Sequence, residues 1–157
     1  MWKSNPARAE LLALYEETDT LLAPYACEAS ADCCHFARTG REPYPTAVEL
    51  AELEHAARAL GALPKPGRKL PLLDAERTCP LLGPDGRCRI YASRPFGCRT
   101  FFCDRMSGPG KLPRSELLEL GRRIADLSHR AFPRDPQPRP LSRALAREPS
   151  RRQPRSG

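Results

Sequence analysis

Seven cysteines in a chain of 157 residues fall into two tight groups, and they limit the possible folds more than any other feature. Cys27, Cys33 and Cys34 form the first group. Cys79, Cys88, Cys98 and Cys103 form the second, after an interval of 44 residues. Seven is an odd number, so the thiols of one chain cannot all pair as disulfides. The opening residues, Met1-Trp2-Lys3-Ser4-Asn5-Pro6, lack the apolar core of a signal peptide. That predicts a cytoplasmic protein, in a compartment where disulfides are rare. Free cysteine can serve as a small buried hydrophobe, a role that suits one of these residues. Clustered reduced thiols point first to a metal or cluster site.

The second group sets the local geometry. Gly83-Pro84-Asp85-Gly86 is a turn signal, because proline presets φ and glycine accepts positive φ. Arg87-Cys88-Arg89-Ile90-Tyr91 alternates like a short strand leaving that turn, so Cys79 and Cys88 flank a reversal of the chain. Arg94-Pro95 disfavours helix at Arg94 and redirects the backbone ahead of Cys98. In the first group, neighbouring extended residues point to opposite faces. An extended Cys33–Cys34 pair would therefore not serve one ion as equal ligands: one would ligate while the other packs, or the two would serve separate centres. His35 can ligate through an imidazole nitrogen, but reads first as a surface residue or a neighbour of the ligands.

The full spacing is C-x5-C-C followed by C-x8-C-x9-C-x4-C. No C-x2-C knuckle occurs, which disfavours a zinc ribbon or finger, and the ferredoxin C-x2-C-x2-C run is also missing. One tetrahedral zinc takes about four thiolates. The surplus suits an iron–sulfur cluster with extra nearby thiols, or two centres, and the spacing leaves both open. Cys27, Cys33, Cys34, Cys79, Cys88, Cys98 and Cys103 form the ligand pool. Arg94 and Arg99 flank Cys98, where guanidinium groups would offset the negative charge of a thiolate site and donate hydrogen bonds to sulfur. Tyr91, Phe96, Phe101 and Phe102 are expected to wrap the site and keep it dry.

The remainder of the chain reads as one small, mainly α domain with irregular cysteine-rich loops and at most a short β-hairpin. Apolar spacing predicts a helix over 6–22, ended by Pro24. Thr46-Ala47-Val48-Glu49 is a capping-box pattern opening a helix to about Leu60, with Gly61 as its stop. A third helix is predicted over 114–132, with Ser115 as its cap. The span 61–78, with Lys65, Arg68 and Lys69, reads as a basic surface connection. No apolar run approaches the roughly 20 residues needed to cross a bilayer, so no membrane partner is expected. The net charge is +7, of which the stretch from Pro133 carries +5, from seven Arg against Asp135 and Glu148, leaving +2 for residues 1–132. With six prolines and few apolar residues, 133–157 reads as a disordered or extended tail. The metal-binding domain would then span 1–132, and any contact with nucleic acid would be weak and made through the tail.

Gly86-x-Cys88-x-Ile90-Tyr91-x-x-Arg94-Pro95-x-x-Cys98-Arg99, preceded by Cys79-Pro80-Leu81-Leu82 and by the upstream Cys33-Cys34, resembles the signature of the YkgJ-type cysteine-cluster proteins. The resemblance covers roughly residues 27–103. It implies chelation of zinc or iron and brings no agreed reaction. The family often shows C-x3-C-x2-C-C upstream; here Cys27 alone precedes the pair, and Ser30 stands where another thiol would be. A related cluster occurs in flagellin lysine N-methylases, the best hint of an enzymatic role, but this chain has no glycine-rich nucleotide loop. Nor is there a Ser-His-Asp arrangement or a carboxylate pair to support hydrolysis. The leading expectation is a protein holding zinc or an iron–sulfur cluster through its cysteines. The competing ones are an iron–sulfur oxidoreductase or protein-modification accessory enzyme, and a zinc-stabilised nucleic-acid module.

Overall fold

Three amphipathic helices form the scaffold of the computed structural model, which describes residues 1–25, 31–63, 77–100 and 110–146. The first, α1, is Pro6–Leu22. Its start is set by proline at the first helical position and by the Asn5 side chain, which accepts from the Ala7 N–H at 2.9 Å. Leu11, Leu14, Tyr15, Thr18 and Leu22 make its buried stripe. A one-turn helix, α2, is Phe36–Thr39. Helix α3 is Ala47–Ala59, opened by the expected Thr46–Glu49 capping box. A second one-turn helix, α4, is Phe96–Arg99. Helix α5, Arg114–Ala131, buries Leu117, Leu120, Ile124 and Leu127. Ser115 does not cap α5: Pro113 occupies the cap position, and the Ser115 hydroxyl donates to Glu116 instead.

Helices α1, α3 and α5 pack on one another around Leu11, Leu14, Tyr15, Val48, Leu120, Ile124 and Leu127. Gly121 lets α5 approach α4, because a Cβ there would lie 3.3 Å from the Phe96 ring. Phe96 therefore packs against the helix bundle, where the sequence suggested a wrap around the thiols. A second apolar layer lies beneath the cysteine loops and is built from Cys34, Phe36, Leu53, Ala57, Cys79, Leu81, Ile90, Leu141 and Leu145. Helix α3 serves both layers, with Val48 in one and Leu53 and Ala57 in the other.

Two carboxylates are buried on α3. Glu52 accepts from Trp2 Nε1 at 2.9 Å, Arg8 Nε at 2.7 Å and Ser93 Oγ at 3.2 Å. Glu49 accepts from the Thr46 N–H at 2.8 Å and hydroxyl at 2.9 Å, the Phe96 N–H at 2.7 Å and the Tyr15 hydroxyl at 3.3 Å. Burial raises the Glu49 carboxyl above the usual carboxylate range, and the donors around it oppose that shift. One side chain thus caps α3 and also holds the first N–H of α4.

The expectation of an unstructured tail from Pro133 is corrected for 133–146. The Arg139 and Leu141 N–H groups donate to the carbonyls of Pro45 and Pro43 at 3.1 and 3.0 Å. The Ser142 N–H donates to Glu42 Oε1 at 2.6 Å. A short helix, α6, is Leu141–Ala146, and Leu141, Ala144 and Leu145 are buried in the body. Burial of these three residues overrides the polar composition around them. Residues 147–157 lie outside the described residues. The expected strand at Arg87–Tyr91 is also absent: among the described residues the only β pairing is two isolated bridges, His35 with Thr78 and Leu82 with Cys88. No helix among the described residues is long and apolar enough to cross a membrane.

Candidate metal centre

Backbone pairing brings the two cysteine groups together. Ala31 adopts a left-handed φ of 56° and starts a 3-10 turn over Asp32–Cys34. The Cys34 N–H closes that turn on the Ala31 carbonyl at 2.8 Å. The chain then runs antiparallel to Arg77–Cys79: the Phe36 N–H donates to the Arg77 carbonyl at 3.2 Å, and the Cys79 N–H to the Cys34 carbonyl at 2.7 Å. Beyond Cys79 the reversal expected from Gly83-Pro84-Asp85-Gly86 forms. The Gly83 N–H donates to the Arg87 carbonyl at 2.8 Å and the Arg87 N–H to Asp85 Oδ1 at 3.1 Å, and the bridge Leu82–Cys88 follows. Gly83 is required there, since a Cβ would meet Asp85 Oδ1 at 2.8 Å and the Arg87 carbonyl at 3.2 Å. Arg94-Pro95 is extended, as the sequence predicted, and leads into α4, which carries Cys98.

Cys33, Cys34, Cys79, Cys88 and Cys98 line one cavity together with Arg94. Cys34 lies between the two cysteine groups, next to Cys33 in sequence and paired through its backbone carbonyl with the Cys79 N–H. The premise of an extended Cys33–Cys34 pair is corrected: the two residues lie in a 3-10 turn, and both line the same cavity. The thiol of Cys34 is pushed above its usual value, first by neighbouring Cys33, then by Cys79 and Cys88, and then by burial. Cys34 in turn lowers Cys33 to about 7 and Cys88 to about 7, with the Arg94 charge acting in the same direction. Burial pushes the Cys98 thiol well above its usual value, and nearby Cys79, Cys33 and Cys88 add to the shift. All five cysteines are free thiols. Among the described residues no group of three or more His, Cys, Asp or Glu side chains forms a ready-made ion site. Cys27 and Cys103 lie outside the described residues, as do Lys65, Arg68, Lys69, Phe101 and Phe102.

The two flanking arginines differ. Arg99 is buried and fully engaged: its guanidinium donates to Asp19 Oδ2 at 2.5 Å, to the Ala92 carbonyl at 2.5 Å and to the Arg94 carbonyl at 2.9 Å, and stacks 4.0 Å over the Tyr15 ring. Arg94 lies 3.8 Å over the Tyr91 ring, and its Nε is buried without a hydrogen-bond partner. His35 Nδ1 is likewise buried and unpartnered. Both orphaned atoms belong to residues that adjoin the cysteine loops. The buried Glu49 that holds α4 escaped the sequence reading; its only sequence signal was its place in the capping box.

A family model described as "Putative zinc- or iron-chelating domain", named CxxCxxCC, matches residues 26–114, more than half of the chain. The chain belongs to the CxxCxxCC family. No curated protein and no solved structure matches it. The CxxCxxCC name, laid on this sequence, falls on Cys27, Ser30, Cys33 and Cys34, so the upstream spacing is two residues at each step and serine replaces the second thiol. This member of the CxxCxxCC family therefore keeps three of the four thiols in its namesake motif and four more downstream.

Proposed function

We propose that this protein holds zinc or an iron–sulfur cluster through sulfur, with Cys33, Cys34, Cys79, Cys88 and Cys98 as the central ligands and Cys27 and Cys103 completing the pool. The observation that carries the proposal is the single cavity lined by Cys33, Cys34, Cys79, Cys88 and Cys98, which come from loops more than 40 residues apart in sequence and are joined by the backbone pairing of Cys34 with Cys79. Soft sulfur donors favour zinc and iron–sulfur clusters over hard cations. The donor set fits: Cys33 and Cys88 are already poised for deprotonation near neutral pH, and Arg94 supplies a positive charge beside them. When bound, a cation keeps every ligating sulfur deprotonated. The chain's own part is to present the sulfurs from three rigid supports: the Asp32–Cys34 turn, the Leu82–Cys88 reversal, and α4 as held by Glu49.

Anaerobic purification with elemental analysis and a visible spectrum tests this. A brown protein containing iron and acid-labile sulfide identifies the cluster, and a colourless one carrying zinc identifies zinc. A folded, reduced protein that is metal-free as isolated and takes up neither species on reconstitution contradicts the proposal.

A further inference from the structure

Arg94 is one of three arginines that line this cavity, and its Nε is buried with no hydrogen-bond partner among the described residues. Its guanidinium lines the same cavity as the five thiols, packs flat on Tyr91, and keeps its Nε–H buried and unbonded. A buried N–H without a partner is destabilising, more so on a charged group, and this one is open to an acceptor held in the cavity. Its positive charge acts on Cys33, Cys88 and Cys98. Arg99, the other guanidinium beside Cys98, spends its donors on Asp19 and two carbonyls. The Arg94 backbone carbonyl accepts from Arg99, so the position of the Arg94 backbone is fixed independently of its own side chain.

We propose that Arg94 is the positioning residue of the loaded centre, donating its Nε–H to a metal-bound thiolate and balancing the negative charge that the sulfurs acquire together. The inference rests on the thiolate reading above. It adds that sulfur bonded to Arg94 is less electron-rich than its neighbours, so this side chain tunes both affinity and the sulfur-to-metal electronic transition.

The test uses the full-length reduced protein loaded with cobalt(II) alone, comparing wild type with Arg94→Met and Arg94→Lys. Arg94→Met keeps the bulk over Tyr91 without charge or donor, while Arg94→Lys keeps the charge without the Nε–H. Arg94→Met is expected to bind cobalt about 10–100-fold more weakly in chelator competition. Its sulfur-to-cobalt charge-transfer band is expected to move to lower energy, because a thiolate that loses a hydrogen bond holds its electrons less tightly. Arg94→Lys is expected to recover part of the affinity but leave the band displaced. A purely structural role would not move the band. Wild-type affinity and band position in Arg94→Met overturn the proposal; should that variant fail to fold, an unshifted band in Arg94→Lys overturns it equally. Failure of the wild type itself to bind cobalt through sulfur overturns both this proposal and the reading beneath it.

Discussion

Stripping the metal from the loaded, reduced protein with a strong chelator is expected to lower its melting temperature by roughly 10–20 °C. The two cysteine loops are joined by few backbone bonds, chiefly Phe36 to Arg77 and Cys79 to Cys34. The layer beneath them is thin: Leu53, Leu81, Ile90, Leu141 and Leu145 are its large buried aliphatic side chains. Structural zinc contributes about 10–16 kcal/mol of apparent binding free energy in small peptides, comparable to the whole stability of a domain at about 5–15 kcal/mol. Even about 5 kcal/mol of linkage, at roughly 2–4 °C per kcal/mol for a chain of this size, gives the stated shift. The loss should be unequal in space. Amide exchange is expected to accelerate first over 31–36 and 77–93 and later in α1 and α5, whose contacts belong to the other apolar layer. Calorimetry with and without chelator checks the shift, and a change below about 2 °C would mean that the thiols contribute no metal linkage to the fold.

The second large effect is expected at Arg99. Arg99→Ala should cost about 3 kcal/mol in urea unfolding, because it leaves two carbonyls without their donor and removes the group stacked on Tyr15. Asp19 is half exposed and Ala92 lies at the surface, so both can turn to water, and the cost arises mainly from the Arg94 carbonyl and the emptied space over Tyr15. Arg99→Lys should recover little, since one ammonium cannot reach a carboxylate and two separate carbonyls as a planar fork does. Arg99→Lys with wild-type stability would show that the site needs only a positive charge. The expected contrast with Arg94 is sharp: Arg99 variants lose stability before any metal is added, whereas Arg94 variants change the properties of the loaded centre.

The long helices were legible because their signals are local. Thr46-x-x-Glu49 is a capping signal, and the leucines of α1 and α5 recur at helical spacing. The turn at Gly83–Gly86 was legible for the same reason. What was not legible depends on tertiary partners. Leu141, Ala144 and Leu145 have the spacing of one helical face, but they sit among proline and arginine, and the surface that buries them comes from α3 and the cysteine layer. The 3-10 turn at Cys33–Cys34 has no local signal, since nothing in the neighbouring residues announces that Ala31 will enter the left-handed region and tighten the residues after it. Arg94 and Arg99 look equivalent on either side of Cys98; only the carbonyls and carboxylate around Arg99 separate their roles. Grouping of the thiols was the readable part of the candidate site. Their convergence on one cavity required the fold.

X-ray absorption at the metal edge of the anaerobically purified protein tests most directly whether sulfurs from the two distant loops surround one centre. A first shell of sulfur at about 2.3 Å, reduced by substituting serine for Cys34 and likewise for Cys88, is the predicted result. A first shell of nitrogen and oxygen, or a sulfur shell that responds to only one of those two substitutions, would contradict it.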